Sequence, residues 1–142
     1  MRTVLILEDD PSNLQIFSAL LWSAGYRVLE ATSGNEAIEI AENKGNIDLL
    51  ISDIAVPERS GTEVALELTK SRPALTSLFI SGTPMRGWDV RDLNNFRRLP
   101  PEQVDFLEKP FRPRTLLAKI GALLGVPAAE TAVAMRPVAM RP

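Results

Sequence analysis

The chain contains no cysteine and no histidine among its 142 residues. Without cysteine it can form neither a disulfide nor a thiolate metal site, which suits a reducing compartment. Without histidine it lacks the commonest general base and a common metal ligand. Any metal site must therefore be built from oxygen ligands, which favours magnesium, calcium or manganese.

Two further classes of protein are disfavoured by what the sequence lacks. A formal net charge of -2 gives no electrostatic case for nucleic acid, so we expect no direct DNA binding. The apolar run at the start, Thr3–Leu7, stops at Glu8 and is too short for a signal peptide, and no segment approaches the length that spans a bilayer. We therefore expect a cytoplasmic protein that does not contact a membrane.

An apolar stretch, residues 47–52, is followed by Asp53 and then by Pro57 and Gly61. This pattern predicts a buried strand that ends on an acid and breaks into a loop. Aspartate is also a preferred capping and turn residue, and taken alone Asp53 fits that structural role as well. A carboxylate at the exit of a buried strand is, however, well suited to meet a metal ion or a reacting phosphate.

Short strand patterns alternate with helical patterns along the chain. Strands are predicted at residues 3–7, 26–31, 47–52, 77–80 and 104–107. Helices are predicted at residues 12–24, from Ser33 to near Gly45, between Gly61 and Pro73, at 88–99 and at 113–124. The fourth helix is weakly encoded, and its apolar residues are Trp88, Val90, Leu93 and Phe96.

This alternation predicts an α/β fold, a doubly wound five-stranded parallel sheet of the flavodoxin-like kind with strand order 2-1-3-4-5. In such sheets ligands bind beyond the carboxyl ends of the strands. The residues that follow strands one, three, four and five are Glu8 with Asp9, Asp53, Ser81 and Lys109. We therefore expect these side chains to meet at one edge of the sheet.

The expected cluster suits phosphoryl chemistry with magnesium. Glu8, Asp9 and Asp53 offer carboxylates to the ion, and a backbone carbonyl just past Asp53 adds another oxygen. The metal relieves the repulsion among the acids, and Asp53 can then attack phosphorus to give an acyl phosphate. Lys109 can neutralise phosphoryl charge and Ser81 can donate a hydrogen bond. Separately, each residue also fits a plainer role as a solvated charge, a cap or a turn residue.

Four motifs together resemble the receiver domain of bacterial two-component response regulators. They are Glu8-Asp9, Asp53 with Pro57 and Gly61, residues 79–82 (FISG) and residues 106–111 (FLEKPF). The resemblance covers about the first 125 positions. It implies that Asp53 accepts phosphate from a histidine kinase or histidine phosphotransfer protein.

The same resemblance implies a role for the other site residues. The magnesium ligands would be Glu8, Asp9, Asp53 and the backbone carbonyl of Ala55. Ser81 and Lys109 would contact the phosphoryl group. In the switch of this family the Ser81 hydroxyl moves toward the phosphate while an aromatic residue on strand five, here Phe106, turns inward.

We therefore expect a stand-alone phosphoacceptor switch rather than an enzyme, one that signals by binding a downstream protein that the sequence does not name. A phosphorylation-dependent homodimer remains open. Two alternatives are a receiver-like adaptor that is not phosphorylated and a magnesium-dependent phosphohydrolase that works through an aspartyl intermediate. The second is disfavoured because its best-known fold places an Asp-x-Asp pattern after strand one, which Glu8-Asp9-Asp10 does not provide.

The predicted receiver domain occupies residues 1–125, and residues 126–142 are predicted to form a disordered tail. The tail is rich in alanine and proline, and its residues 133–137 (VAMRP) are repeated at 138–142. A docking peptide is the functional alternative. These residues are too few to bury a core of their own, so the chain either acts by binding another protein or is part of a longer one.

Overall fold

The computed structural model describes residues 1–125, so the predicted tail lies outside the described residues and remains a prediction. Five strands form a single parallel sheet. They are β1 (Thr3–Leu7), β2 (Arg27–Ala31), β3 (Leu49–Asp53), β4 (Thr76–Ser81) and β5 (Val104–Glu108). Their order is β2-β1-β3-β4-β5, which confirms the predicted doubly wound sheet.

Five α-helices connect and cover the strands. They are α1 (Pro11–Ser23), α2 (Gly34–Lys44), α3 (Gly61–Ser71), α4 (Val90–Arg98) and α5 (Pro113–Leu124). None of the helices within residues 1–125 combines the length and the apolar character that crossing a membrane requires. Each crossover helix returns the chain to the same end of the sheet, so all five strands run in one direction.

The sheet separates two hydrophobic cores. Successive side chains of a strand point to opposite faces, so Val4 and Ile6 pack with α1 and α5, while Leu5 and Leu7 pack with α2 and α3. Every residue of β1 is buried, as expected for a strand covered on both faces. Both faces of this central strand are therefore occupied by apolar packing.

The start of α2 shows how local sequence sets an element boundary. The Ser33 hydroxyl accepts a hydrogen bond from the Glu36 N–H (3.2 Å), and the Glu36 carboxylate accepts one from the Thr32 N–H (2.7 Å). This reciprocal capping satisfies backbone donors that the first turn leaves free. The pair Ser33 and Glu36 therefore marks the start of α2, with the Glu36 carboxylate accepting from Thr32, the residue before the cap.

The prediction for the fourth helix was partly wrong. Trp88 lies before the helix rather than on its apolar face, because Met85–Gly87 form a short 3₁₀ turn and Asp89 caps the helix by accepting from the Arg91 N–H (2.8 Å). Val90, one of the apolar residues on which the helix prediction rested, is 71% exposed. The chain between β4 and α4 therefore forms a structured loop, residues 82–89, with Trp88 buried inside it.

Candidate functional site

Three acids meet where β1 and β3 end. These strands are neighbours in register, with Leu7 beside Ser52, so the residues that follow leave the sheet side by side. Glu8, Asp9 and Asp53 each present a carboxylate oxygen, and these oxygens lie within 4.8 Å of one another. Asp53 is the last residue of β3, one residue beyond the strand predicted at 47–52. The sheet topology thus brings together the three acids that the sequence pointed to.

Glu8 is the most enclosed of these acids, with only 2% of its surface exposed. One of its carboxylate oxygens, Oε2, accepts a hydrogen bond from the Asp10 N–H (3.1 Å), while the other, Oε1, is buried without a hydrogen-bond donor. Burial raises the pKa of Glu8, and the negative charge of Asp53 adds to the rise, against the opposing effects of the Asp10 N–H and Lys109.

The Glu8 Oε1 atom, which has no hydrogen-bond donor, tests whether a metal ion fits this cluster. A buried carboxylate oxygen without a partner is costly, and a cation held beside it removes that cost. Asp53 is half-buried and Asp9 is exposed, so the cluster opens to solvent on one side. A set of carboxylates with room for water is the donor set that Mg²⁺ prefers, and the residues present therefore fit the ion.

Lys109 brings a positive charge to the acids from the edge strand β5. Its Nζ lies 3.5 Å from Asp53 Oδ2 and 4.0 Å from Glu8 Oε1, and 30% of its side chain is exposed. The segment after it is held against α1, because the Phe111 ring stacks on Phe17 with centroids 6.1 Å apart. The Lys109–Pro110 peptide bond is cis. The lysine predicted from the FLEKPF motif thus lies beside two of the predicted acids.

Ser81 ends β4 at the same edge of the sheet, but its hydroxyl is engaged elsewhere. It donates to the Thr83 carbonyl (2.7 Å) and accepts from the Thr83 N–H (3.0 Å) and the Trp88 Nε1–H (3.2 Å). Within residues 1–125 the Ser81 hydroxyl makes no hydrogen bond to Asp53 or to the Lys109 side chain. The structure therefore places Ser81 at the predicted position with its hydroxyl bound to the loop before α4.

The two remaining predicted residues are Ala55, in the loop after β3, and Phe106, on β5. Ala55 is exposed in the loop two residues past Asp53. That loop is closed at its base by a hydrogen bond from the Gly61 N–H to the Ile54 carbonyl (3.0 Å). Phe106, on β5, is half-buried, and its ring meets Trp88 edge-on at a centroid distance of 5.7 Å.

Sequence reasoning missed Trp88 and Thr83 as partners of Ser81. It assigned Trp88 to the apolar face of a helix, where the ring alone would matter. A signal was nevertheless present, because the indole N–H of a buried tryptophan usually needs an acceptor. The small-residue segment that begins at Ser81 supplies the acceptors that lie nearest in the chain.

The carboxylates and the lysine together can bind a metal ion and an anionic group. Carboxylates from β1 and β3 offer hard oxygen ligands, and Asp53 remains accessible enough to react. The Lys109 ammonium can neutralise an anionic group that approaches Asp53. An oxygen-rich pocket with one cation at its rim suits a divalent metal together with a phosphoryl group.

Comparison with known protein families agrees with this geometry. The family model described as "Response regulator receiver domain" matches residues 4–121. The chain is 35% identical over 124 residues to the sensor kinase CckA of Brucella abortus (strain 2308), covering 86% of this chain and 12% of that protein. It is 27% identical to the response regulator SaeR of Staphylococcus aureus (strain USA300), covering 87% and 51%. The chain thus spans about half, or much less, of the length of these relatives.

Solved structures show the same architecture. The CheY-like receiver domain protein of Methanospirillum hungatei JF-1 is similar with a TM-score of 0.76 and 27% identity, over 88% of this chain and 94% of that one. The response regulator TrrA of Thermotoga maritima, solved in complex with Mg(2+)-BeF, is similar with a TM-score of 0.71 and 27% identity, over 87% and 100%.

Proposed function

This chain belongs to the response regulator receiver domain family, and we propose that it is a phosphoacceptor in a two-component phosphorelay that is phosphorylated on Asp53. The observation that carries the proposal is the convergence of Glu8, Asp9 and Asp53 within 4.8 Å. Lys109 supports it by lying 3.5 Å from Asp53. A half-buried carboxylate with an ammonium beside it suits a residue that must react and then carry extra negative charge.

Magnesium is the cofactor that we propose for this site. Glu8, Asp9 and Asp53 would hold it, with the Ala55 carbonyl as a further oxygen. The buried Glu8 oxygen without a hydrogen-bond donor supports this assignment, because a cation there would provide its missing partner. When bound, Mg²⁺ supplies positive charge that offsets the negative charge of the phosphoryl oxygens.

The side chains divide the transfer step among them. An Asp53 carboxylate oxygen attacks phosphorus and forms a new O–P bond, while the bond from phosphorus to the leaving group of the donor breaks. The leaving group departs with that electron pair. Lys109 neutralises charge on the incoming phosphoryl oxygens. The Ser81 hydroxyl breaks its hydrogen bond to the Thr83 carbonyl and donates a hydrogen bond to one of these oxygens.

The donor in this proposal is a histidine kinase or a histidine phosphotransfer protein, and the output is contact with a second protein. Each protein molecule takes up one phosphoryl group and loses it by hydrolysis, so the chain acts as a switch rather than as an enzyme with a separate substrate. A homodimer formed on phosphorylation is one form that the output contact can take. The similar relatives include a sensor kinase and a response regulator, which are two settings for such a switch.

The proposal is tested with the full chain, acetyl phosphate and Mg²⁺, with phosphate incorporation measured by intact-protein mass. We expect one phosphoryl group per chain, no labelling when EDTA replaces Mg²⁺, and no labelling of Asp53→Asn. Asp89→Asn is the matched control because Asn also caps helices and Asp89 lies at the start of α4. Equal labelling of Asp53→Asn would place the acceptor elsewhere, and repeated turnover of a phosphate ester would indicate a phosphohydrolase.

A further inference from the structure

The Ser81 hydroxyl has no hydrogen-bonding capacity to spare. A hydroxyl donates one hydrogen bond and accepts two, and Ser81 makes all three within the loop before α4. Its single donor goes to the Thr83 carbonyl. Ser81 is also 5% exposed, so bulk water does not compete for these positions. To donate to a phosphoryl group, the hydroxyl must therefore leave the Thr83 carbonyl.

The Trp88 side chain takes part in the hydrogen bonds that change when the Ser81 hydroxyl leaves the Thr83 carbonyl. Its indole N–H is shared between the Ser81 hydroxyl (3.2 Å) and the Thr83 carbonyl (3.1 Å). If the hydroxyl leaves, the indole still has the Thr83 carbonyl as an acceptor, and that carbonyl still has the indole as a donor. The indole is thus not left buried and unpaired, and Thr83, whose N–H and carbonyl both lose the hydroxyl, is an exposed residue that water can reach, so release costs only the bonds that the hydroxyl itself makes.

The ring of Trp88 also joins the loop to the outer part of the sheet. It meets Phe106 of β5 and Phe96 of α4 edge-on, with centroid distances of 5.7 Å and 5.6 Å. Phe96 in turn contacts Phe79 of β4 at 5.9 Å. Closely packed rings restrict one another's positions. A movement of the Trp88 indole therefore displaces the rings of Phe106 and of Phe96 on α4.

We propose that Trp88 is a positioning residue that holds the Ser81 hydroxyl on the loop before α4 and couples its release to the aromatic rings of Phe106 and Phe96. This inference rests on the proposed function, because it assumes that Ser81 is drawn toward a phosphoryl group on Asp53. Trp88 contacts neither the acids nor the phosphoryl group. It acts through its hydrogen bond to the Ser81 hydroxyl and through its ring contacts with Phe106 and Phe96.

The first test follows the indole N–H of Trp88 directly. The chain has two tryptophans, so Trp22→Phe leaves Trp88 as the single indole signal in a ¹⁵N spectrum. Adding Mg²⁺ and beryllium fluoride, a stable mimic of a phosphoryl group, is expected to shift that signal. The shift should disappear in Trp22→Phe/Ser81→Ala and in Trp22→Phe/Asp53→Asn.

The second test measures the rate of labelling by acetyl phosphate with Mg²⁺. Trp88→Phe keeps an aromatic ring but removes the shared N–H, so the Ser81 hydroxyl is held less tightly. Because only part of one net hydrogen bond is lost, we expect labelling to be faster by roughly two- to fivefold. The acceleration should vanish when Trp88→Phe is combined with Ser81→Ala, and Trp22→Phe should label at the wild-type rate.

The outcomes separate this inference from the proposed function. If Asp53 is labelled and the backbone amides near it respond to beryllium fluoride while the Trp88 indole does not, the inference is wrong and the proposed function stands. An acceleration that persists in the Ser81→Ala background, or a Trp88→Phe rate equal to or below wild type, also overturns the inference. Absence of any labelling on wild-type Asp53 removes the proposed function and the inference together.

Discussion

The Lys109 ammonium lies 3.5 Å from Asp53 Oδ2, although β4 separates the two strands that carry these residues. Lys109 therefore reaches across one strand to the acids. Its backbone is fixed for this reach, because its N–H donates to the Ser81 carbonyl at 2.8 Å. The relationship makes Lys109 both the partner of the acids and a competitor of any cation that binds them.

Replacing Lys109 is expected to have opposite effects on metal binding and on phosphorylation. In Lys109→Met the competing charge is gone, so Mg²⁺ should bind about fivefold more tightly, which corresponds to the ~1 kcal/mol of a partly exposed ion pair. Labelling by acetyl phosphate should nevertheless slow by about tenfold or more, because incoming phosphoryl charge is no longer neutralised. Titration calorimetry measures the first effect and intact-protein mass the second.

The matched control for this experiment is Lys119→Met. Lys119 pairs with Asp105 at 2.9 Å, so this variant also removes one lysine from one ion pair. We expect it to leave both Mg²⁺ affinity and labelling unchanged. Weaker Mg²⁺ binding in Lys109→Met than in the control would contradict the view that the ammonium and the metal compete.

Glu8 is expected to make the metal-free protein less stable as pH rises. Burial raises its folded-state pKa above the ordinary value of 4.5, so the folded chain holds this proton more tightly than the unfolded chain does. The contribution of Glu8 to stability is thus fully present below 4.5 and is lost as pH rises through the raised pKa. Glu8→Gln, which cannot ionise, should gain stability relative to wild type across that window.

Urea unfolding of both proteins in EDTA, repeated from pH 4 to pH 8, measures this difference. Glu39→Gln is the control because Glu39 is exposed on α2. Saturating Mg²⁺ should abolish the advantage of Glu8→Gln, since the ion stabilises the charged carboxylate and the variant loses that ligand. A difference that shrinks as pH rises would show that the direction of the pKa shift is wrong.

Gly61 is expected to be required for the shape of the loop that follows Asp53. A Cβ at this position would lie 2.3 Å from Ser52 Oγ and 2.5 Å from the Asp53 carbonyl oxygen. Gly61→Ala should therefore displace the end of β3 and cost roughly 1–3 kcal/mol of unfolding free energy, as overpacking does. Gly82→Ala is the control, because a Cβ there meets no atom within 4 Å.

Urea unfolding of the two glycine variants gives the stability difference, and Mg²⁺ titration shows whether the site is disturbed as well. We expect Gly61→Ala to bind Mg²⁺ more weakly, since Asp53 is the last residue of the displaced strand. Gly82→Ala should retain its affinity. Equal stability of the two variants would mean that the backbone after β3 can move aside easily.

A buried polar contact between α3 and α4 is expected to contribute to stability. The Thr62 hydroxyl donates to Asp92 Oδ1 at 2.5 Å and accepts from the Asn95 side-chain amide at 3.2 Å. Thr62→Val should cost about 1–3 kcal/mol, because it leaves a buried carboxylate oxygen without its donor. Thr69→Val, which removes only a bond to the Ala65 carbonyl of its own helix, should cost less in the same urea titration.

Much of the fold was predictable because its signals are local. The apolar run of β1 and the capping box at Ser33 each define one element without reference to the rest of the chain. The position of Lys109 relative to Asp53 was also predictable, since parallel strands that enter from the same end leave at the same edge. For this reason, the sequence alone assigns residues far apart in the chain to one site.

What the sequence did not reveal depends on contacts between elements. Trp88 was assigned to a helix because apolar spacing cannot distinguish a ring on a helix from a ring that follows a short 3₁₀ turn before the helix. The hydrogen bond that ties the Ser81 hydroxyl to this indole is a property of the folded loop. Similarly, nothing in the spacing of Thr62 and Asp92 shows that α3 and α4 bury these two side chains together.

The backbone around Ser81 is pinned on both sides of β4. Its carbonyl accepts the Lys109 N–H at 2.8 Å, and the carbonyl of the preceding residue, Ile80, accepts the Ile54 N–H at 3.2 Å. Sliding of β4 against either neighbour would break these bonds, whereas rotation about the Cα–Cβ bond of Ser81 breaks none of them. The central strands can therefore stay in place while the Ser81 side chain rotates, so the proposed release of its hydroxyl requires no movement of the sheet.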